Sequence, residues 1–156
     1  MSKKIQALKV NITWKLTTLP LRKKTLGCKW IYRIKYNYDG TVERFKARLV
    51  ILGNHQVKGL NYNETFSPVM KMVTIRITLA VAAARDWRLH QMDAHNTFLH
   101  GNLDDDVYMK LPLRFQVSQP NLVCKLQKSL YGLRQASQCW FAKLSSTVTH
   151  FGFQQS

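Results

Sequence analysis

One carboxylate in this sequence stands where chemistry could be done. Asp93 lies in Leu89-His90-Gln91-Met92-Asp93-Ala94-His95-Asn96-Thr97-Phe98-Leu99-His100-Gly101, which alternates up to Asp93 and then passes into the turn formers His95, Asn96 and Gly101. The pattern predicts a short buried strand with Asp93 at its C-terminal end. A buried acid is costly unless it is paired, hydrogen-bonded or bound to a cation. Asp93 therefore either caps the turn that follows it or takes a divalent metal ion, and spacing alone leaves both open.

A second set of residues suits phosphate. Arg44, Lys46 and Arg48 recur at period two opposite Phe45, Ala47, Leu49 and Ile51, so the segment reads as a strand with one cationic face. Same-face side chains on a strand are on the order of 7 Å apart, close to a phosphate repeat; an ordinary solvated sheet face gives the same pattern. The preceding run places Cys28, Trp30, Tyr32, Ile34 and Tyr36 on one face, with Lys29, Arg33 and Lys35 on the other, and Tyr38-Asp39-Gly40-Thr41 supplies a turn. Together these predict a β-hairpin with an apolar and a cationic side.

The remaining elements must carry these two groups. Ile5 to Val10 allows a short helix, and Trp14, Leu16 and Leu19 can fold back onto a core. Residues 53–68 break periodicity with Gly53, Asn54, Gly59, Asn61 and Pro68 and read as loop. Met72, Ile75, Leu79, Ala82 and Ala83 predict a helix to about Arg85 that packs an apolar stripe on the sheet. Asp104, Asp105 and Asp106 read as a solvated turn, and short strands follow at 107–111 and 123–126. Leu130-Tyr131-Gly132-Leu133-Arg134-Gln135 turns into a helix with Ser137, Trp140, Phe141, Leu144, Val148 and Phe151 on one stripe. Gly132, just before it, lets backbone approach a ligand closely.

Twenty-four Lys and Arg against eight Asp and Glu give a net charge of +16, and the polyanion that answers such a balance is nucleic acid or an anionic membrane surface. A hydrophobic content of 46% indicates a globular chain. No apolar run is long enough to cross a membrane and no signal peptide follows the start, which leads us to expect an intracellular protein. Cys28, Cys124 and Cys139 are too scattered for a Cys-x-x-Cys motif and read as reduced thiols, and the five histidines lack zinc-ligand spacing.

The motif around Asp93 resembles the first catalytic motif of copia-type retrotransposon reverse transcriptases, typically Gln-Leu-Asp-Val-x-Asn-Ala-Phe-Leu-His-Gly. Further segments resemble that family in the same order over nearly the whole chain: Gly27-Cys28-Lys29-Trp30 with Lys35-Tyr36-Asn37, Asp39-Gly40, Arg44-Phe45-Lys46-Ala47-Arg48-Leu49-Val50, Tyr62-Asn63-Glu64-Thr65-Phe66-Ser67-Pro68-Val69, Val107-Tyr108-Met109 and Lys128-Ser129-Leu130-Tyr131-Gly132-Leu133-Arg134-Gln135.

The resemblance implies an α+β, partial right-hand polymerase fold, with a basic antiparallel β-hairpin as fingers and an incomplete palm sheet with packed helices. Residues 1–26 would be a basic N-terminal arm. Residues 27–86 would be the fingers hairpin, loop and helix, and 87–156 the start of the palm with returning fingers strands. The family's chemistry uses two Mg²⁺ ions to steady the attacking and leaving oxygens of nucleotidyl transfer. By resemblance Asp93 is the catalytic metal ligand, with the Ala94 carbonyl as a further ligand. Lys46, Arg48, Ala94, Asn96, Thr97, Phe98, Tyr131 and Gly132 would meet the incoming dNTP, and Arg44, Arg134 and Gln135 the nucleic acid. The partners implied are an RNA template, a DNA primer, and the rest of a Pol polyprotein with its palm remainder, RNase H and integrase; the setting implied is cytoplasmic virus-like particles or the nucleus.

The family's remaining carboxylates come from a Tyr-x-Asp-Asp hairpin that these 156 residues lack, so the fragment alone is expected to be inactive. The alternatives are a non-catalytic basic remnant that binds RNA or a hybrid duplex, and a decayed copy without function. Departures from the family pattern agree with decay. Leu19-Pro20-Leu21-Arg22 and Leu111-Pro112-Leu113-Arg114 stand where Leu-Pro-Pro-Gly is usual, Lys15 replaces Glu, and Thr97 replaces Ala.

Overall fold

A computed structural model describes residues 2–68, 70–91, 97–115, 117 and 119–154. Helix α1 (Ser2–Val10) leads into strand β1 (Trp14–Thr18), followed by β2 (Thr25–Leu26), β3 (Cys28–Tyr36), β4 (Val42–Ile51), α2 (Met72–Ala84), β5 (Tyr108–Met109), β6 (Leu122–Leu126) and α3 (Ala136–His150). The chain is thus mixed α+β, built on two small sheets and three helices. One sheet has the order β1-β6-β5-β2, with β2 and β5 parallel and its other pairs antiparallel. The other is the β3–β4 hairpin.

The core lies where the four-stranded sheet meets the hairpin base and the start of α3. Leu8 comes from α1, Trp14, Leu26, Met109, Cys124 and Leu126 from the sheet, Leu49 and Ile51 from β4, Leu99, Leu130 and Leu133 from the turns before α3, and Ala136 from its first residue. Strand β1 was not expected from five residues reading Trp-Lys-Leu-Thr-Thr. It exists because β6 supplies a full antiparallel partner, Trp14 opposite Leu126 through Thr18 opposite Leu122, and a strand's register is decided by such tertiary pairing.

The hairpin forms as its alternation predicts. Its turn is closed by Asn37 N–H donating to the Thr41 carbonyl at 2.8 Å, by the Asp39 carboxylate accepting from the Thr41 N–H and hydroxyl, and by Gly40 at φ +83°. Its apolar side is not a core face along its length, however. Leu49 and Ile51 are buried at the base, whereas Tyr32 is 60% and Phe45 79% exposed, so the hairpin projects from the body.

Two expectations fail. The helix α2 forms over the predicted residues, but its stripe packs on neither sheet: Ala82 is buried while Met72, Val73, Ile77 and Leu79 are exposed. Its apolar residues lie on all sides rather than in a stripe, so periodicity could not say which face to bury. Leu89–Gln91, expected to open a buried strand, have no strand structure, and Leu89 is exposed. The rest of that motif, Met92–Asn96, lies outside the described residues.

Candidate functional site

The register of the hairpin assembles its cations. Arg33 lies opposite Lys46, Lys35 opposite Arg44, and Arg48 opposite Ile31. With Lys29, six cations share one face of two strands. Like charges directly opposed on a sheet are unfavourable, and Glu43 relieves the arrangement at one point, pairing with Arg44 at 3.3 Å.

At the hairpin base this face meets the turn before α3. The Ile51 N–H donates to the Tyr131 carbonyl at 2.8 Å, and Val50 bridges to Tyr131 in parallel sense. Two glycines allow the approach. A Cβ on Gly132, whose φ is +93°, would run into the Ile51 carbonyl, and a Cβ on Gly53 into the Gly132 carbonyl. The close approach expected at Gly132 is therefore made to the chain's own β4 rather than to a ligand.

Three predicted site residues converge there. The Arg48 guanidinium lies 5.6 Å from the Tyr131 ring centroid, within cation–π range. Phe98 meets the same ring edge-on at 5.0 Å and 84°. The Ser129 hydroxyl donates to the Phe98 carbonyl, and the Ser129 N–H donates to the Gly101 carbonyl at 2.9 Å. These bonds fix the 3-10 turn Thr97–His100, and with it the end of the Asp93 motif, beside Tyr131. Thr97 is half-buried at the start of that turn. Lys46 and Arg44 continue the cationic face outward from Arg48, at roughly 7 Å per two residues. Asp93, Ala94 and Asn96 lie outside the described residues.

Gln135 is placed differently from a nucleic-acid contact, whereas Arg134 is exposed. Gln135 is 1% exposed and its side-chain amide is fully engaged within the chain, so it has no free surface to offer. Arg134 donates from Nε to the Gly53 carbonyl at 3.2 Å and lies over the Tyr62 ring. Local sequence gave no sign of this: the partners of both residues are 30 to 81 positions away.

The acidic turn is more than solvated surface. Asp105 accepts from Asn63 at 3.2 Å and from Gln135 at 3.1 Å. Asp106 pairs with Lys125 at 2.7 Å and Lys23 at 3.9 Å, and the Lys125 hydrogen bond holds its carboxyl below the usual range. Among the described residues no three His, Cys, Asp or Glu side chains group closely enough to hold a metal ion. A cleft of about 470 Å³ between this turn and α3 is lined by Glu64, Asp104, Asp105 and Cys139. Burial, and then the neighbouring Asp105 and Asp104, push the Cys139 thiol up to about 11. Burial pushes Cys124 up to about 12. All three cysteines are free thiols.

The family described as Reverse transcriptase (RNA-dependent DNA polymerase) matches residues 11–156. The chain is 48% identical over its full length to the Retrovirus-related Pol polyprotein from transposon RE1 of Arabidopsis thaliana. It is 44% identical over 94% of its length to that from transposon TNT 1-94 of Nicotiana tabacum. An uncharacterized mitochondrial protein of Arabidopsis thaliana is 46% identical over 53% of this chain and 48% of its own length. The chain spans 11% of each of the two polyproteins, and no solved structure matches it. With a family match over nearly every residue, this chain belongs to the reverse transcriptase family, and it is similar to one segment of retrotransposon Pol polyproteins.

Proposed function

We propose that the chain is the nucleotide- and template-gripping part of a copia-type RNA-directed DNA polymerase, arranged as the fingers and first part of the palm of a right-hand fold. The observation that carries this reading is the column of Arg48, Tyr131 and Phe98 at the foot of a six-cation strand face. Arg48 and Lys46 neutralise the triphosphate of the incoming dNTP, charge-assisted contacts that also orient it. Phe98 lies under the sugar, and Tyr131 backs the pair that the nucleotide forms with the template. Arg44 and the outer cations track the RNA backbone. Asp93 and the Ala94 carbonyl are the expected ligands of two Mg²⁺ ions, which would steady the attacking and leaving oxygens. The primer is DNA, and the rest of the polyprotein, including RNase H and integrase, completes the machine in cytoplasmic particles or the nucleus.

These 156 residues contain no Tyr-x-Asp-Asp, and in this reading they bind without polymerising. The test pairs two measurements. RNA affinity of the chain should fall steeply and linearly on a log–log plot against salt, as counterion release requires. In the longer polyprotein, Asp93→Asn should lower primer extension by at least about a thousandfold. Full activity in that variant would sink the assignment of Asp93. Salt-dependent binding by a polyprotein that never extends a primer would favour the remnant reading, in which the cationic face grips RNA without chemistry.

A further inference from the structure

Gln135 stands at the residue before α3, where a polar side chain ordinarily caps its own helix. Its side chain makes no such bond. It reaches instead across the molecule into the loop after β4. Its Nε2 donates to the Asn61 carbonyl and to Asp105 Oδ2, both at 3.1 Å, and its Oε1 accepts from Gln56 Nε2 at 2.9 Å. Gln56 Oε1 in turn accepts from the Arg134 N–H at 2.8 Å.

The direction of every bond in this chain is fixed by its ends. A backbone N–H can only donate, so Gln56 must present its oxygen to Arg134 and its NH₂ to Gln135. The Asn61 carbonyl and the Asp105 carboxylate can only accept, so Gln135 must present its NH₂ to them. Only a carboxamide donates twice and accepts once in this geometry; a carboxylate at 135 would face two acceptors. Gln56, Asn61 and Gln135 are all buried, where a polar network is strong when complete and costly when broken.

What the network spans is the Gly53–Gly132 approach. It ties residues 56 and 61 to residues 134 and 135, just beyond the glycines whose backbones touch, and the same approach sets Ile51 against Tyr131 and so Arg48 over the Tyr131 ring. We propose that Gln135 is a positioning residue: its amide fixes the spacing between the hairpin base and the Tyr131 turn, and thereby holds Arg48 ready for a phosphate group. The proposal rests on the reading above that Arg48 meets phosphate.

The test is a double-mutant cycle on the 156-residue chain, with affinity for inorganic tripolyphosphate measured by titration calorimetry at constant ionic strength. Arg48→Ala should weaken binding about tenfold, the loss of one charge-assisted contact. Gln135→Met keeps the volume and removes only the hydrogen bonds; it should weaken binding several-fold and speed amide exchange at Ile51. In the Arg48→Ala background it should add nothing, because its effect runs through Arg48. An unchanged affinity in Gln135→Met beside a weakened Arg48→Ala overturns the proposal and leaves the phosphate reading intact. An additive double variant overturns it too. An unchanged affinity in Arg48→Ala overturns the phosphate reading, and the proposal with it. If neither Gln135→Met nor Gln135→Ala folds, by circular dichroism, the residue serves the core alone and the proposal fails.

Discussion

The junction at Gly53 and Gly132 and the N-terminal region make the same demand on the backbone and answer it differently. At the junction, glycine stands wherever a side chain would collide with a neighbouring carbonyl. In the N-terminal region, left-handed positions are filled by bulky residues. All three helices end with one hydrogen-bond pattern, in which two N–H groups turn back to close the last turn: Ile12 to Lys9 and Thr13 to Leu8 in α1, Asp86 to Ala83 and Trp87 to Ala82 in α2, Gly152 to Thr149 and Phe153 to Val148 in α3. The left-handed residue is Gly152 in α3, Asp86 in α2 and Ile12 in α1. Arg22 and Arg114 show the same substitution in turns. Lys23 N–H donates to Pro20 and Phe115 N–H to Pro112, with the third residue of each turn at φ +66° and +67°, a geometry that favours glycine. Glycine is thus kept at the junction, where replacing it would move two segments apart, and is missing at Ile12, Arg22 and Arg114, where its absence strains one residue.

The largest effect should come from breaking the junction. Gly132→Ala meets both a left-handed backbone and a carbonyl, and should destabilise the chain by about 3 kcal/mol in urea unfolding; an unchanged midpoint would show that the junction yields freely. Next come the strained positions. Ile12→Gly, Arg22→Gly and Arg114→Gly should each raise stability by about 1 kcal/mol, while Gly152→Ala at the matching end of α3 should lower it by a similar amount. If all four lower the melting temperature, the contrast between the regions is false.

The smallest effect belongs to Asp106, which ties Lys23 of the N-terminal region to Lys125. Its carboxyl is held below the ordinary value of 3.8, first by the Lys125 hydrogen bond. Its contribution is therefore complete above that value and is lost as pH falls through the lowered one. The group is about half exposed, so the gain is at most about 0.5 kcal/mol. Asp106→Asn should lower stability at pH 7 by no more than about 0.5 kcal/mol and leave it unaltered well below pH 4, so that the profile flattens between; a loss at pH 7 of more than about 1 kcal/mol would contradict a solvent-screened pair.

The parts of the fold legible in sequence are those whose cause is local. The hairpin shows in the alternation from Cys28 to Tyr36 and in Asp39-Gly40, and the cationic face of Lys46 and Arg48 follows from period two. The extent of α2 shows in its composition, but its burial does not, since Met72-Val73-Thr74-Ile75 offers no polar side to contrast. β1 and the Gln56–Gln135 bond were illegible because each is made by residues far apart in sequence. The Pro-Leu-Arg departures were visible as text; that they strain the backbone needed the observed φ angles.

Strand β1 and the Asn11 side chain that precedes it have a consequence in time. Asn11 accepts a hydrogen bond from Lys128, 117 residues downstream, and among the described residues β1 pairs only with β6. At a synthesis rate of about 5–20 residues per second, the first strand waits on the order of ten seconds outside the ribosome with its backbone unpaired. The hairpin, whose strands adjoin, closes on the order of microseconds once made. Translation therefore delivers the cationic hairpin first and the sheet that anchors it last, and the nascent chain meets cellular polyanions before it has a body to hold them against.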